Sequence, residues 1–336
     1  MATSDRVHAV RFDRFGPPAD VVAYGPVELP GPGRGELRIR LLMAPVNPSD
    51  LLFIRGDYAV SPRLPATPGF EGVGVVEQSG GGFLGRLLVG KRVAVLGSKT
   101  GTWATHAIAP ARQVVPVGRG LPDEQAAMFF INPATAWLLT SHLLGLRRGD
   151  VLVQTAAAST VGRMVIRLGQ RFGFDTINVV RREEQAISLR EFGANQVLVS
   201  EGPGLAEELR RRLPNGVRHA IDPVGGAVAS ELANCLGSRG RLVLYGTLTP
   251  DPVSFSPRVL MTPGASISGF WLGEFMQRQS LWSKLRIVRS ISRLVADGTL
   301  ASERGEQFPL NEMGKAIAAA ERSGRTGKVL LRCSGA

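Results

Sequence analysis

The chain has 336 residues, 44% of them hydrophobic, and a formal net charge of +12. That length suggests about two domains with packed cores and argues against disorder, while the apolar runs fall short of the ~20 residues a membrane helix needs. Two cysteines without C-x-x-C spacing speak against a disulfide framework or a cysteine-built zinc site.

The first third reads as β structure. Residues 7–12 partly alternate, residues 36–42 alternate polar and apolar as a half-buried strand does, and 72–77 and 92–96 read as further strands, with Pro and Gly between them. From about residue 121 strands and helices alternate. Residues 122–144 are helical in composition and 151–154 form a buried strand. Val161, Met164, Val165 and Leu168 then mark one face of a helix that Gly173 closes. A strand at 176–180, a helix at 184–192 closed by Gly193, a strand at 196–199 and a helix at 204–213 follow. Strands at 219–222 and 241–246, an amphipathic helix at 281–296 and a strand-like 327–331 complete the chain. Repeated strand–helix units of about 25 residues imply a parallel, doubly wound sheet.

A dinucleotide site requires a tight turn after the first strand of such a sheet, where backbone N–H groups meet the pyrophosphate. Here the turn is Thr155-Ala156-Ala157-Ala158-Ser159-Thr160-Val161-Gly162, and only Gly162 remains of a G-x-G-x-x-G pattern. Ala157, Ala158, Ser159, Thr160 and Val161 are the candidate pyrophosphate residues: the alanines are small, and the two hydroxyls can donate. The alternative is a small-residue turn without a ligand. The end of the second strand carries Arg181 and Arg182, 19 and 20 residues after Gly162, where an NAD site usually has an acid. Two guanidinium groups suit a 2′-phosphate, so the expected cofactor is NADPH. The alternative is a surface arginine pair engaging Glu183 or Glu184.

The β-rich start, the nucleotide-type middle and the C-terminal return resemble the medium-chain dehydrogenase/reductase superfamily nearly end to end. The matching segments include Pro45–Asp50, Arg55-Gly56-Asp57-Tyr58 and Pro68–Gly74. The resemblance implies an α/β architecture: a GroES-like β-rich catalytic domain (1–122), an inserted doubly wound Rossmann domain (123–273) and a C-terminal catalytic part (274–336). Zinc members carry a Cys before the Ser-Asp pair and a G-H-E motif. Here Pro48 or a near neighbour and Phe70 stand there, so no metal is expected. Within the zinc-independent branch the chain looks most like the trans-2-enoyl-CoA/acyl carrier protein reductases. That likeness rests on Asn47–Asp50, Gly101–Thr105, Ile131–Ala136, Thr176–Arg181, Val224–Gly226, Tyr245-Gly246 and Gly269–Leu272. Quinone oxidoreductases are the close competitor. The enoyl reductases usually keep a glycine where Thr160 stands.

Reducing a 2-enoyl thioester takes a hydride to Cβ and a proton to Cα. A tyrosine, with an ordinary pKa of about 10, stays protonated at neutral pH and can donate that proton; the resemblance places this role on Tyr58. It implies that Asn47 and Thr135 orient Tyr58 or the nicotinamide. Tyr245 is expected among the cofactor-binding residues. Phe270, Trp271 and Leu272 line the nicotinamide and acyl pocket or form core. Glu71 fits a packing role, and His8, His106, His142 and His219 lack ligand spacing. The expected partners are an enoyl thioester of coenzyme A or acyl carrier protein, or a quinone, and a second copy in a homodimer. The chain has 35 arginines and five lysines, yet no RNA-recognition motif and no basic run with interleaved aromatics, so nucleic acid is not expected. Met1–Asp5 has no apolar signal region, and a cytoplasmic location is expected.

Overall fold

In the computed structural model, residues 5–334 other than 262, 323 and 326 are described. They form two compact units, one of residues 1–131 with 302–336 and the other of 132–301.

The first unit is built on β strands: β1 (Asp5–Phe12), β2 (Val22–Leu29), β3 (Glu36–Pro45), β4 (Gly72–Ser79), β5 (Arg92–Val95), β6 (His106–Pro110) and β7 (Val114–Pro116). Strands β1 and β2 make an antiparallel ribbon. The others join two strands from the end of the chain in a sheet. Strand β3 is its centre, pairing antiparallel with β4 and with β6. One residue departs from the sequence pattern. The alternation in residues 36–42 predicts arginines on a solvated face, yet Arg38 is buried, beside Glu77 of β4. Its guanidinium lies 3.8 Å from the Glu77 carboxylate. Ile39, Leu41, Val76, Val93 and Trp103 fill the core beneath.

The second unit carries six strands: β8 (Val151–Gln154), β9 (Asp175–Val180), β10 (Gln196–Val199), β11 (Val217–Asp222), β12 (Leu236–Leu244) and β13 (Ser266–Gly269). All pair in parallel, in the order β10-β9-β8-β11-β12-β13. Counted from β8 this is the doubly wound order 3-2-1-4-5-6, with the direction of winding reversing between β8 and β11. The helix Thr160–Phe172 buries Val161, Met164, Val165 and Leu168, the face expected from their spacing, and stops at Gly173 with φ +82°. The single helical stretch expected over 122–144 is instead broken. It runs as Asp123–Ala127, Ile131–Trp137 and a wider π turn Leu138–Leu143.

The chain then returns to the first unit as β14 (Arg304–Pro309) and β15 (Lys328–Arg332), and β15 pairs antiparallel with β3. Residues 274–301 were expected with this return, but they group with the parallel sheet. Two sets of contacts go with this grouping. The helix Leu281–Ala296 buries Ile287, Ile291, Leu294 and Val295. Just beyond it, the Arg167 guanidinium donates to the carbonyls of Thr299 and Ala301.

Candidate active site

In the first unit Asn47 stands just before the helix Pro48–Arg55, with extended backbone and Pro48 in the first helical position. Its N–H donates to Asp50 Oδ2 (2.7 Å) and its Nδ2 donates to Glu71 Oε1 (3.0 Å). Glu71 Oε2 in turn accepts from the N–H groups of Phe130 (3.3 Å) and Ile131 (2.9 Å). Asp50, Glu71 and Lys328 are all buried. Burial pushes Asp50 up to about 7 and raises Glu71. It pushes the Lys328 ammonium down to about 8, with Arg325 adding to the effect. Glu71, expected to be a packing residue, is a hydrogen-bond hub that fixes the Asn47 side chain.

Tyr58 follows the left-handed cap at Gly56 (φ +88°) and is half-buried, its ring 5.2 Å from that of Phe70. Phe70 and Glu71, adjacent in the chain, therefore hold the ring of Tyr58 and the amide of Asn47 respectively. Phe70 also packs edge-on against Phe53 (5.1 Å). A hydrocarbon ring thus occupies the place where zinc members offer an imidazole. Among the described residues no three His, Cys, Asp or Glu side chains are grouped to hold a metal ion. Burial raises the thiols of Cys235, to about 12, and of Cys333. This donor set does not fit a catalytic zinc.

In the second unit the candidate nucleotide residues gather where the winding reverses. Gln154 ends β8, and its Nε2 donates to Asn178 Oδ1 (2.7 Å) and to the Gly162 carbonyl (3.0 Å). This ties the strand, the helix and β9 together. Thr155 donates its hydroxyl to Asp222 at the end of β11, and the other Asp222 oxygen accepts from the N–H groups of Val224 (3.0 Å) and Gly225 (2.7 Å). Between them the chain turns through Ala156 (φ +47°) and the fully buried Ala157. Ser159 then caps the helix, its Oγ accepting from the Gly162 N–H (3.2 Å). A Cβ on Gly162 would lie 2.3 Å from the Ala157 carbonyl oxygen, so only glycine fits. The first turn of this 13-residue helix carries no acid. Such a helix end, with small residues and hydroxyls before it, suits a pyrophosphate.

Arg181 and Arg182 follow directly after β9. The Arg181 N–H donates to Gln185 Oε1 (3.2 Å), and Arg182 precedes the helix Glu183–Glu191, its Nε 3.9 Å from the Glu184 carboxylate. Tyr245 lies just past β12, where its N–H donates to the Asp222 carbonyl (2.9 Å). Its hydroxyl is buried without a hydrogen-bond partner, and burial raises its pKa far above the ordinary value. Phe270, Trp271 and Leu272 are each half-buried. The Phe270 N–H donates to the Leu244 carbonyl (2.7 Å), and its ring lies 5.7 Å from that of Phe275. Thr135 is buried on the helix Ile131–Trp137.

Sequence reasoning missed Asp50 and Lys328 as members of the Asn47 cluster. A signal existed for each: an acid three residues after a helix-capping Asn, and a lysine directly before the apolar run Val329-Leu330-Leu331.

Residues 33–119 match the alcohol dehydrogenase GroES-like domain family, and residues 160–286 match the zinc-binding dehydrogenase family. A mitochondrial enoyl-[acyl-carrier-protein] reductase of Xenopus tropicalis is 32% identical over 315 residues, covering 91% of this chain and 89% of that one. Among solved structures, a Bacillus thuringiensis protein provisionally named an NADPH:quinone reductase superposes with a TM-score of 0.89. It is 32% identical, over 98% of this chain and 99% of that one. A mycobacterial protein solved with NADPH superposes with a TM-score of 0.87 at 26% identity, over 97% and 99% of the two chains.

Proposed function

The chain belongs to the medium-chain dehydrogenase/reductase superfamily, and from that premise we propose that it is an NADPH-dependent oxidoreductase that reduces the 2,3 double bond of 2-enoyl thioesters without zinc. The observation that carries the substrate class is the likeness to an enoyl reductase over 91% of the chain.

Bound NADPH supplies a hydride. On the protein side, Ala157 and Ala158 leave room for the pyrophosphate, while Ser159, Thr160 and Val161 present hydroxyls and helix N–H groups to it. Arg181 and Arg182 would hold the 2′-phosphate, to which their guanidinium groups are suited. Tyr245, Phe270, Trp271 and Leu272 serve the nicotinamide and acyl groups. Tyr58 would give its hydroxyl proton to Cα, and the tyrosinate left behind would regain a proton from solvent. Asn47, fixed by Glu71, and Thr135 orient the reacting groups.

The name of the Bacillus thuringiensis neighbour favours a second reading, NADPH:quinone reduction. The two separate in a panel of enoyl-CoA esters and quinones assayed by NADPH oxidation. A kcat/KM higher for enoyl esters supports the proposal, and one higher for quinones rejects it. Tyr58→Phe is expected to lower kcat at least about 100-fold with NADPH affinity retained; unchanged turnover removes Tyr58 from the mechanism.

No helix among the described residues is long and apolar enough to cross a membrane. Both cysteines are free and buried, which suits a reducing compartment such as the cytoplasm; the named Xenopus relative is mitochondrial. Homodimerisation through the open edge of the parallel sheet is part of the proposal. Strand β13 forms that edge, with Ser266, Ser268 and Gly269 exposed.

A further inference from the structure

The helix Leu281–Ala296 carries four cations among its 16 residues, Lys284, Arg286, Arg289 and Arg293, and no acid. On two other helices of the unit arginines are paired: Arg211 and Arg212 with Glu208 at 2.9 and 2.8 Å, and Arg190 with Glu183 at 2.7 Å. Among the described residues the four cations of Leu281–Ala296 form no ion pair. Arg286, Arg289 and Arg293 are all exposed and stand three and four residues apart, one above another on one face. Like charges at that spacing weaken a helix, so an unpaired stripe is a cost to the free protein that an anionic partner would relieve.

At the head of the stripe three apolar side chains are exposed: Leu281 at 67%, Trp282 at 78% and Leu285 at 53%. An exposed Trp beside arginines is the composition of an interface centre. The helix's long apolar face, Ile287, Ile291, Leu294 and Val295, is already buried in the unit. The exposed face therefore lacks the continuous apolar strip with which an interfacial helix enters a membrane. A second copy of this chain, itself at +12, would meet the stripe with like charge. The stripe from Arg286 to Arg293 extends over roughly 10 Å of helix axis, more than a single phosphate group occupies. Its head also adjoins the proposed acyl pocket. The Phe270 ring touches Phe275 (5.7 Å), the Phe275 ring touches His142 (6.5 Å), and the Arg286 charge acts on His142, whose pKa burial chiefly lowers.

We propose that the exposed face of Leu281–Ala296 docks an acidic, helical acyl carrier protein, with Arg286, Arg289 and Arg293 meeting its acidic side chains and Leu281, Trp282 and Leu285 forming the apolar centre of the contact. The inference rests on the enoyl thioester reading and deepens it: the preferred substrate is the carrier-bound thioester.

The test offers one enoyl group as its thioester with acyl carrier protein, coenzyme A or N-acetylcysteamine. It uses the full chain and the variants Arg286→Glu/Arg289→Glu/Arg293→Glu and Arg286→Gln/Arg289→Gln/Arg293→Gln. The charge reversal is expected to lower kcat/KM for the carrier thioester at least about 10-fold, and the neutral variant by less. Turnover of the uncharged N-acetylcysteamine thioester should stay within about 2-fold, and the steep salt dependence of the wild type with carrier protein should vanish. Trp282→Ala should weaken the carrier reaction alone. No loss with the carrier thioester, an equal loss with all three, or a loss confined to coenzyme A overturns the docking surface. So does stripe-dependent binding to anionic phospholipid vesicles in place of the carrier. If the wild type reduces none of the three, the enoyl reading falls. Direct titration of the carrier protein against wild type and charge-reversed chain then decides the docking surface without turnover, and equal affinities reject it.

Discussion

Asp50→Asn tests the buried cluster behind Asn47. Asp50 is fully buried, and its carboxyl is raised from an ordinary 3.8 to about 7. Between those values the folded protein holds a proton that the unfolded chain has released, so stability declines as pH rises from about 4 to about 7. At about 1.4 kcal/mol per pH unit, the rise amounts to about 4 kcal/mol of lost stability above pH 7. Lys328, lowered to about 8, stabilises in the opposite sense: the unfolded chain holds its proton longer, so its contribution grows as pH rises from about 8 towards its ordinary 10.5. Between pH 4.5 and 7 Lys328 therefore adds no slope; Glu71 and Asp222, also raised by burial, decline in the same sense, and the comparison with Asp50→Asn separates the Asp50 share. Asn at position 50 can still accept the Asn47 N–H that Asp50 Oδ2 accepts now, and it carries no charge to desolvate. Urea unfolding of the intact chain across that range should show wild-type stability falling relative to Asp50→Asn by about 2–4 kcal/mol. A stability difference that is flat with pH would refute the argument, because it would mean that Asp50 keeps its ordinary carboxyl behaviour in the fold.

Replacing both Arg181 and Arg182 with Ala should weaken NADPH binding by about 1.5–3 kcal/mol while moving NADH affinity little, measured by fluorescence titration of each cofactor; parallel losses for the two would place the 2′-phosphate elsewhere. Gly162→Ala drives a Cβ to 2.3 Å from the Ala157 carbonyl oxygen, and a cost of about 1–3 kcal/mol in stability is expected together with at least about 10-fold weaker NADPH binding. Wild-type melting and affinity in that variant would show that the turn has slack. By contrast, Gly314→Ala lies on the exposed face of the helix Met313–Glu321 with nothing within 4 Å of the added Cβ, and should raise stability by about 0.5–1 kcal/mol in the same melts.

The repeating strand–helix pattern from residue 151 is written in periodicities of two and about four residues, and these express themselves wherever the segment lies. Hence the strands at 151–154, 176–180, 196–199 and 219–222 and the buried face of Thr160–Phe172 are readable without a structure. Gly162 and the arginines after β9 are legible for the same reason, since a turn and a strand end are local features. Burial of charge is not local. Arg38 alternates like a surface residue and is buried beside Glu77, which β4 brings from almost 40 residues away. Glu71 and Lys328 stand far apart in sequence and share one buried cluster with Asp50 because β15 returns beside β3. Residues 274–301 group with the unit of the parallel sheet, where Arg167, more than 130 residues earlier, reaches the carbonyls of Thr299 and Ala301. The sequence by itself determined the elements and the nucleotide-type turn, which short-range sterics and hydrophobic spacing dictate. The tertiary structure alone decided which charges are desolvated and which stay unpaired at the surface, because those depend on neighbours that the chain supplies from a distance.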